Sequence, residues 1–575
     1  MSKKTVSRRS FLKASSLAGG AIALAACAAP AVREAVAPAT TVAPATDPPV
    51  ATAAPVATVA PVATAAPIAT AGPASTLSFV WLGDISPWWH PARYQTFSQA
   101  VIFQLIFSPL VKLEGVDLKE VVGDLAESWE VSDDAREFTF NLRQNVKWHD
   151  GKPFSADDVV YSFSESLRIP ALVPNRLTGL LGAAEYASGA AATVAGIEKI
   201  SDFTVKLTLV DSDSTFLWGL RDSNYVITPK HLLEGVAPDQ IESHAFTLET
   251  PIGTGPYKFV QWVTDQFAEF EAYDDFHFGR PKIDKMVMKR VKGDVAIAQL
   301  EAGDVQLGVR LSALEFERVS SIKSLNVFSQ PGVGMTSIIP LHTNPRMADK
   351  RVRQALYYAI DRRTIVDTVL QGRAKVLEGA PPRYDHYDDL DIYAYDPEKA
   401  QQLLKESAFD FAKPVKLVFD VIYPASALYV PVIQQQLAEI GVKVELGAME
   451  SAAYIELITK TRTGYELHVG QGGDVGVHPD RQFVYQYCDK PEKGSGYNAC
   501  AEVYMLKNAR RTAKADEQDQ IYHDVARSLN RNVEALWLWQ LNDLHASDKR
   551  LGGGFAVCRD AKTTFWNVHS WELAA

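Results

Sequence analysis

Apolar and polar side chains alternate between residues 138 and 143. Phe138, Phe140 and Leu142 alternate with Thr139, Asn141 and Arg143, the period of a half-buried strand. Ser132-Asp133-Asp134 before this run and Asp150-Gly151 after it are turn signals. Ser155-Ala156-Asp157-Asp158 then reads as a capping box with an acidic first turn, and Val159, Phe163 and Leu167 follow at helical spacing. The same reasoning predicts strands over 77–81, 204–209 and 257–263, and helices over 97–110 and 297–302. In Gly253-Thr254-Gly255-Pro256 the glycines are expected to supply positive φ for a sharp turn. A helix over 349–361 places Val352, Ala355, Leu356 and Ala359 on a packed face and leaves Arg351 and Arg353 in solvent. Asp396 and Pro397 are an N-cap and a first helical residue. Strands over 415–421 and 442–446 flank a helix over 432–440, and a further strand covers 466–470. That β-α-β order predicts an α/β architecture with parallel pairing, whereas the strand–turn–helix unit of 138–167 is mixed α+β.

The first 75 residues carry none of this patterning. Lys3, Lys4, Arg8 and Arg9 precede an apolar run, 14–26, too short to span a bilayer, so 1–26 reads as an export signal. Ser7-Arg8-Arg9-Ser10-Phe11-Leu12-Lys13 has the twin-arginine pattern. Leu24-Ala25-Ala26-Cys27 looks like a lipobox, which would make Cys27 the lipidated first residue of the mature chain, a stable anchor. A plain cleaved signal with an incidental cysteine is the other reading. Residues 27–75 form a tether in which Pro49, Pro55, Pro61, Pro67 and Pro73 recur among Ala, Thr and Val. At about 3.1 Å per residue it reaches at most ~150 Å. The expected location is the outer face of the cytoplasmic membrane or the periplasm.

Length and charge narrow the function. A chain of 575 residues calls for two or three domains. Beyond the signal, 53 basic residues stand against 69 acidic ones, a net of −16 that argues against a nucleic-acid partner. No P-loop spacing is present, since Lys258 stands where a third glycine is needed. Neither G-x-S-x-G nor H-E-x-x-H occurs, so a secreted hydrolase has no motif behind it. Cys488 and Cys500, in an exported chain, are expected to form a disulfide, leaving Cys558 buried and free. No metal and no cofactor are implied.

The blocks AESW, FNLRQNVKWHDG and PFSADDVVYSF within 126–163 resemble the signature of the large extracytoplasmic solute-binding proteins of peptide-type ABC importers, the dipeptide, oligopeptide and nickel binders. PIGTGPYK at 251–258 and DKRVRQALYYAID at 349–361 resemble further blocks of that family. The resemblance implies a two-lobed type II periplasmic-binding fold: lobe I from 76–110, 211–332 and 545–575, an inserted small domain over 111–210, and lobe II over 333–544. It implies a monomeric, non-catalytic protein that captures a small peptide and passes it to an ABC permease with its ATPase. An oligosaccharide, nickel chelate, haem or opine are the other cargoes. The family's turn with a glycine, a tryptophan and an ammonium-binding Asp falls on Gly470, Gln471, Gly472, Gly473 and Asp474, with Gln471 where the Trp is usual. A ligand could add strand hydrogen bonds to the glycines, and an ammonium leaving water needs a carboxylate such as that of Asp474. Arg462, His468 and Arg383 are the candidate cations for a ligand carboxylate. Trp88 and Trp89 lie in a loop that the family places near the cleft, and packing in the core or loop is the other reading of these aromatics. The dipeptide binders have a bridge placed like Cys488–Cys500.

Overall fold

A computed structural model describes residues 75–81, 89–91, 97–117, 120–169, 176–221, 223–291, 293–379, 389–472, 478–480, 500–512 and 514–574. All belong to one unit, Ala71–Ala575. Its spine is the strand Leu536–Asp548. Leu536, Trp537, Leu538 and Trp539 are all fully buried, as expected of a strand covered on both faces. The first half of this strand pairs with Met335–Pro340 and Ala374–Val376. The second half pairs with Leu325–Pro331 and Leu307–Leu311. Among the described residues the resulting mixed sheet has twelve strands. The expected β-α-β unit lies in it, with Val415–Asp420 parallel to Val444–Met449 across the helix Ser426–Glu439. Thr76–Trp81 is likewise parallel to Lys285–Lys289 and Leu307–Leu311.

Among the described residues three large cores follow from this arrangement, and a smaller fourth joins Val80, Leu300, Leu311 and Leu325 to Leu544 and Ala546. One joins buried residues from Met335 to Trp539. A second joins Leu77 to Val309 with the returning segment Leu551–Trp571. The third runs from Leu110 to Ile227, so its packing continues past residue 210. It contains the four-stranded antiparallel sheet Ala126–Val131, Glu137–Leu142, Thr204–Thr208, Ile197–Ser201. Ser155 caps the helix Ala156–Ser166 that lies on this sheet, and its capping box closes through Asp158. Phe138, Phe140, Val159 and Phe163 interlock there.

The sequence blocks meet in space. His149 accepts from the Gly253 N–H through Nδ1 at 3.3 Å and stands 3.0 Å from the Gly255 carbonyl through Nε2. Those partners fix a neutral ring protonated on Nε2. Burial holds its pKa down to about 4.

Two expectations are corrected here. Gly253 and Gly255 do not have positive φ. They are glycines for want of space, because a Cβ on Gly253 would stand 1.8 Å from the Ile106 carbonyl oxygen. Arg353 is buried rather than solvated. Its guanidinium donates to the carbonyls of Met347, Ala348, Asn532 and Val533 at 2.7–3.0 Å, tying the helix Lys350–Tyr358 to the end of the helix Ala515–Asn532.

Candidate functional site

The chain passes twice between the first core and the small fourth one. It does so once through Gly332-Val333-Gly334, between the strands Leu325–Pro331 and Met335–Pro340, and once within Leu536–Asp548. The two passages are stitched together. The Gly332 N–H donates to the Leu541 carbonyl at 3.0 Å, and the Gln540 amide donates to the Gly332 carbonyl. The Asp543 carboxylate folds over Gly332, where a Cβ would lie 2.6 Å from its oxygen.

The strand Leu467–Gly472 runs antiparallel to Met335–Pro340 with Gly472 opposite Met335. Its glycine end therefore lies at the crossing. The direction of the strand brings Gly470, Gln471 and Gly472 there together. Gly470 is also a packing glycine, since a Cβ would meet Ile339 at 2.5 Å. Gln471 turns to the other face and donates to Ser426 Oγ at 2.6 Å and to the Tyr429 hydroxyl at 2.7 Å. Tyr429 in turn stands edge-on to Trp539. Gln471 is thus tied into the wall beneath the strand.

Other expected residues stand elsewhere. His468 packs with Tyr454 and Tyr465 in a small satellite core. Burial, with the charge of Arg462 added, pushes its pKa down to about 3, so it is neutral and does not serve as a cation for a carboxylate. Arg462 ends the helical turn Leu457–Thr461 in left-handed geometry, at φ 50°, beside that satellite core. Trp89 is fully buried against Phe259 and Trp262, with ring centroids 5.0 and 6.3 Å away. It is core, the packing role weighed against a place near the cleft. Trp88, Arg383, Gly473, Asp474, Cys488 and Cys27 lie outside the described residues. Cys500 opens the helix Cys500–Arg511, and its side chain is not among those described. Cys558 is buried and free, its thiol pushed up to about 12 by burial.

A buried ion cluster ties other segments of the chain together. Asp480 is fully buried. It holds Arg176 at 2.6 Å and Arg510 at 2.8 Å, and Arg176 also holds Asp213 at 3.0 Å. Burial alone would raise the Asp480 carboxyl; Arg510 and Arg176 outweigh it and hold the group below the usual carboxylate range. Arg176 and Asp213 belong to the third core's segment and Arg510 to a helix of the first. Ser214 reinforces the junction through the carbonyls of Arg510 and Thr512. Sequence reasoning missed this cluster because its members lie up to 334 positions apart. A cavity of about 870 Å³, counting its open mouth, lies elsewhere, between the helix Phe97–Ile106 and residues 560–569. No residue of the crossing lines it.

A sheet joined by two strand passages, with a glycine-ended strand at the junction, defines a class of mixed α/β fold. The comparisons with known proteins give the class a family. Residues 120–495 match the bacterial extracellular solute-binding proteins, family 5, middle region, and the chain belongs to that family of non-catalytic ABC-transporter binding proteins. The dipeptide-binding protein of Escherichia coli K12 is 28% identical over 458 residues, 75% of this chain and 83% of that protein. The oligopeptide-binding protein AppA of Bacillus subtilis is 26% identical over 501 residues, 82% and 87% of the two chains. Its structure with a nonapeptide superposes with a TM-score of 0.74, at 24% identity, over 88% of this chain and all of the other. Heme-binding protein A of Haemophilus influenzae is 31% identical over 354 residues, 57% of this chain and 62% of that protein. The fold is accordingly the mixed α/β periplasmic-binding-protein fold.

Proposed function

We propose that this solute-binding protein carries small peptides. The observation that bears most weight is the antiparallel strand Leu467–Gly472, which delivers its glycines to the crossing beside Met335. A peptide laid along that end finds backbone donors and acceptors without side chains in the way. Asp474 follows two residues later in the chain and takes the peptide ammonium. The lobes move about the passages 332–334 and 540–543, and ligand contacts to both shift the population toward the closed form. Separate cores on either side of those passages support lobes of this kind. The peptide then passes to an ABC permease and its ATPase. Export follows the twin-arginine signal, Cys27 carries the lipid, and residues 28–75 tether the monomer to the membrane. Cys488 and Cys500 form a disulfide beyond the ligand turn, as the exported setting favours.

The test is a thermal-shift series on the purified protein with di-, tri- and longer peptides, the same peptides N-acetylated, and haem. At ~1 mM peptide and a Kd near ~1 μM, stabilisation is about 4 kcal/mol, a shift of several degrees. Acetylation abolishes it, and Asp474→Ala weakens binding by about 2 kcal/mol or more. A response to haem with silence toward every peptide refutes the cargo.

A further inference from the structure

The two strand passages join the lobes through the backbone. A further link, made by side chains, ties the third core's segment to the first core. That segment is itself fastened to the second core. Asp124 holds His277 Nε2 at 2.9 Å, both side chains buried, and the Tyr273 hydroxyl donates to the Trp148 carbonyl at 3.0 Å. His149 sits on Gly253 and Gly255, and Ile252 packs against both cores. The third core's segment therefore travels with the second core when the lobes move.

Arg176 reaches from this segment to the other side. Its stem crosses Gly219, where a Cβ would lie 2.0 Å from the Arg176 Cδ, so the missing side chain clears its path. Nη1 donates to Asp213 at 3.0 Å and to the Thr215 hydroxyl at 2.8 Å, which fixes the fork from behind. Nη2 donates to Asp480 Oδ2 at 2.6 Å. Asp480 in turn accepts from Arg510 Nε at 2.8 Å and from its Nη2 at 3.1 Å. Ser214 repeats the crossing: its N–H donates to the Arg510 carbonyl at 2.8 Å, and its hydroxyl accepts from Gln518 at 2.9 Å. At the surface Arg511 meets Asp211 at 2.9 Å.

This link is polar, and that decides what it can do. Parting an apolar seam would expose its whole area to water. Ions that part regain hydration, which offsets much of the attraction they lose. Asp480 also keeps Arg510 when Arg176 leaves, so the separated carboxylate still has a partner. Such a contact can form and break as a hinge closes and opens.

We infer that Arg176 is a positioning residue for ligand capture: by clasping Asp480 across the lobes, it holds the cleft closed independently of the strand passages. It acts through closure rather than on the ligand. The clasp supplies part of the free energy of closing, so a ligand has less of it to provide. The inference rests on the reading above, in which the lobes close on a peptide.

The experiment pairs hydrogen exchange with peptide titration on the full chain, for wild type, Arg176→Met, Arg176→Lys and Ser214→Ala. The Ser214 amide, bonded to Arg510 across the clasp, reports closure. The Leu142 amide, bonded to the Phe203 carbonyl at 2.8 Å inside the third core, reports the fold of that segment. In Arg176→Met without ligand the Ser214 amide exchanges about tenfold faster, while Leu142 is unchanged. Di- and tripeptides bind about tenfold more weakly, chiefly through a faster koff. Saturating peptide restores protection at Ser214. Arg176→Lys keeps the charge without the fork and regains part of both effects. If Arg176→Met fails to fold by circular dichroism, Ser214→Ala carries the test with the same readouts. Unchanged exchange at Ser214 overturns the assignment. Equal acceleration at Ser214 and Leu142 does so too, since Arg176 would then serve only the fold of its own segment. Peptide affinity unchanged in a variant whose Ser214 amide is freed also overturns it. Wild type silent toward every peptide refutes the peptide reading, and exchange at Ser214 still decides the clasp.

Discussion

Replacing Asp480 by asparagine removes one negative charge and almost no volume. In the native protein that carboxylate has no exposed surface and holds two guanidinium groups, Arg176 at 2.6 Å and Arg510 at 2.8 Å. Asparagine can accept from one of them but balances neither. Asp213 remains as counter-ion for Arg176, 3.0 Å away, and the side chains of Arg176 and Arg510 keep 18% and 30% of their surface in water. Breaking a buried pair by removing one partner costs about 3–5 kcal/mol. The residual hydration and Asp213 place Asp480→Asn at the low end, about 3 kcal/mol. The assay is urea denaturation at pH 7, with the midpoint and slope fitted for both proteins. The wild-type contribution also has a pH signature. The folded pKa of Asp480 is depressed, so its stabilisation is complete above the unfolded value of about 3.9 and is lost as pH falls through the folded value. Asp480→Asn lacks that part of the acid transition. A loss below about 0.5 kcal/mol at pH 7 refutes the view that this cluster clamps the third core's segment to the helix Cys500–Arg511.

Gly253→Ala should cost about 3 kcal/mol in the same assay, because its Cβ meets backbone at Ile106 that cannot swing away; a neutral change would show that the loop gives. His149, His468 and His545 are buried and neutral, with pKa values near 4, 3 and 3, each lowered first by burial. Unfolded histidines titrate near 6.5, so the unfolded chain takes up protons first as pH drops. Stability should hold above pH ~6.5 and fall by about 2 kcal/mol or more by pH 5. A flat urea midpoint between pH 7 and 5 contradicts this. Cys27→Ser should shift the protein from the membrane to the soluble fraction of fractionated cells, and continued membrane retention refutes lipidation.

Local chemistry was legible wherever it is settled by near neighbours. The Ser155 capping box, the Asp396 N-cap ahead of Pro397 and the parallel pair around the helix Ser426–Glu439 all form from signals within a few residues. The strand that runs into Gly470 was legible for the same reason, and Leu467–Gly472 is where it lies. What pattern could not show is where long side chains end. Arg353 occupies a position that helical periodicity assigns to solvent, yet its stem reaches four carbonyls inside. Arg310 has φ 55° where the ladder slips against a strand more than 230 residues away, and no local signal announces it.

The strand Leu536–Asp548 donates and accepts along its whole length, half of it in each of two cores. Its thirteen residues act as a shared structural member, so neither core can come apart without stripping hydrogen bonds from its neighbour. Cooperativity of unfolding is thereby written into the backbone and does not depend on side chains meeting across a gap. The same continuity keeps the two halves in torsional register: a twist at one end of the strand is delivered to the other through covalent bonds, even when nothing occupies the space between.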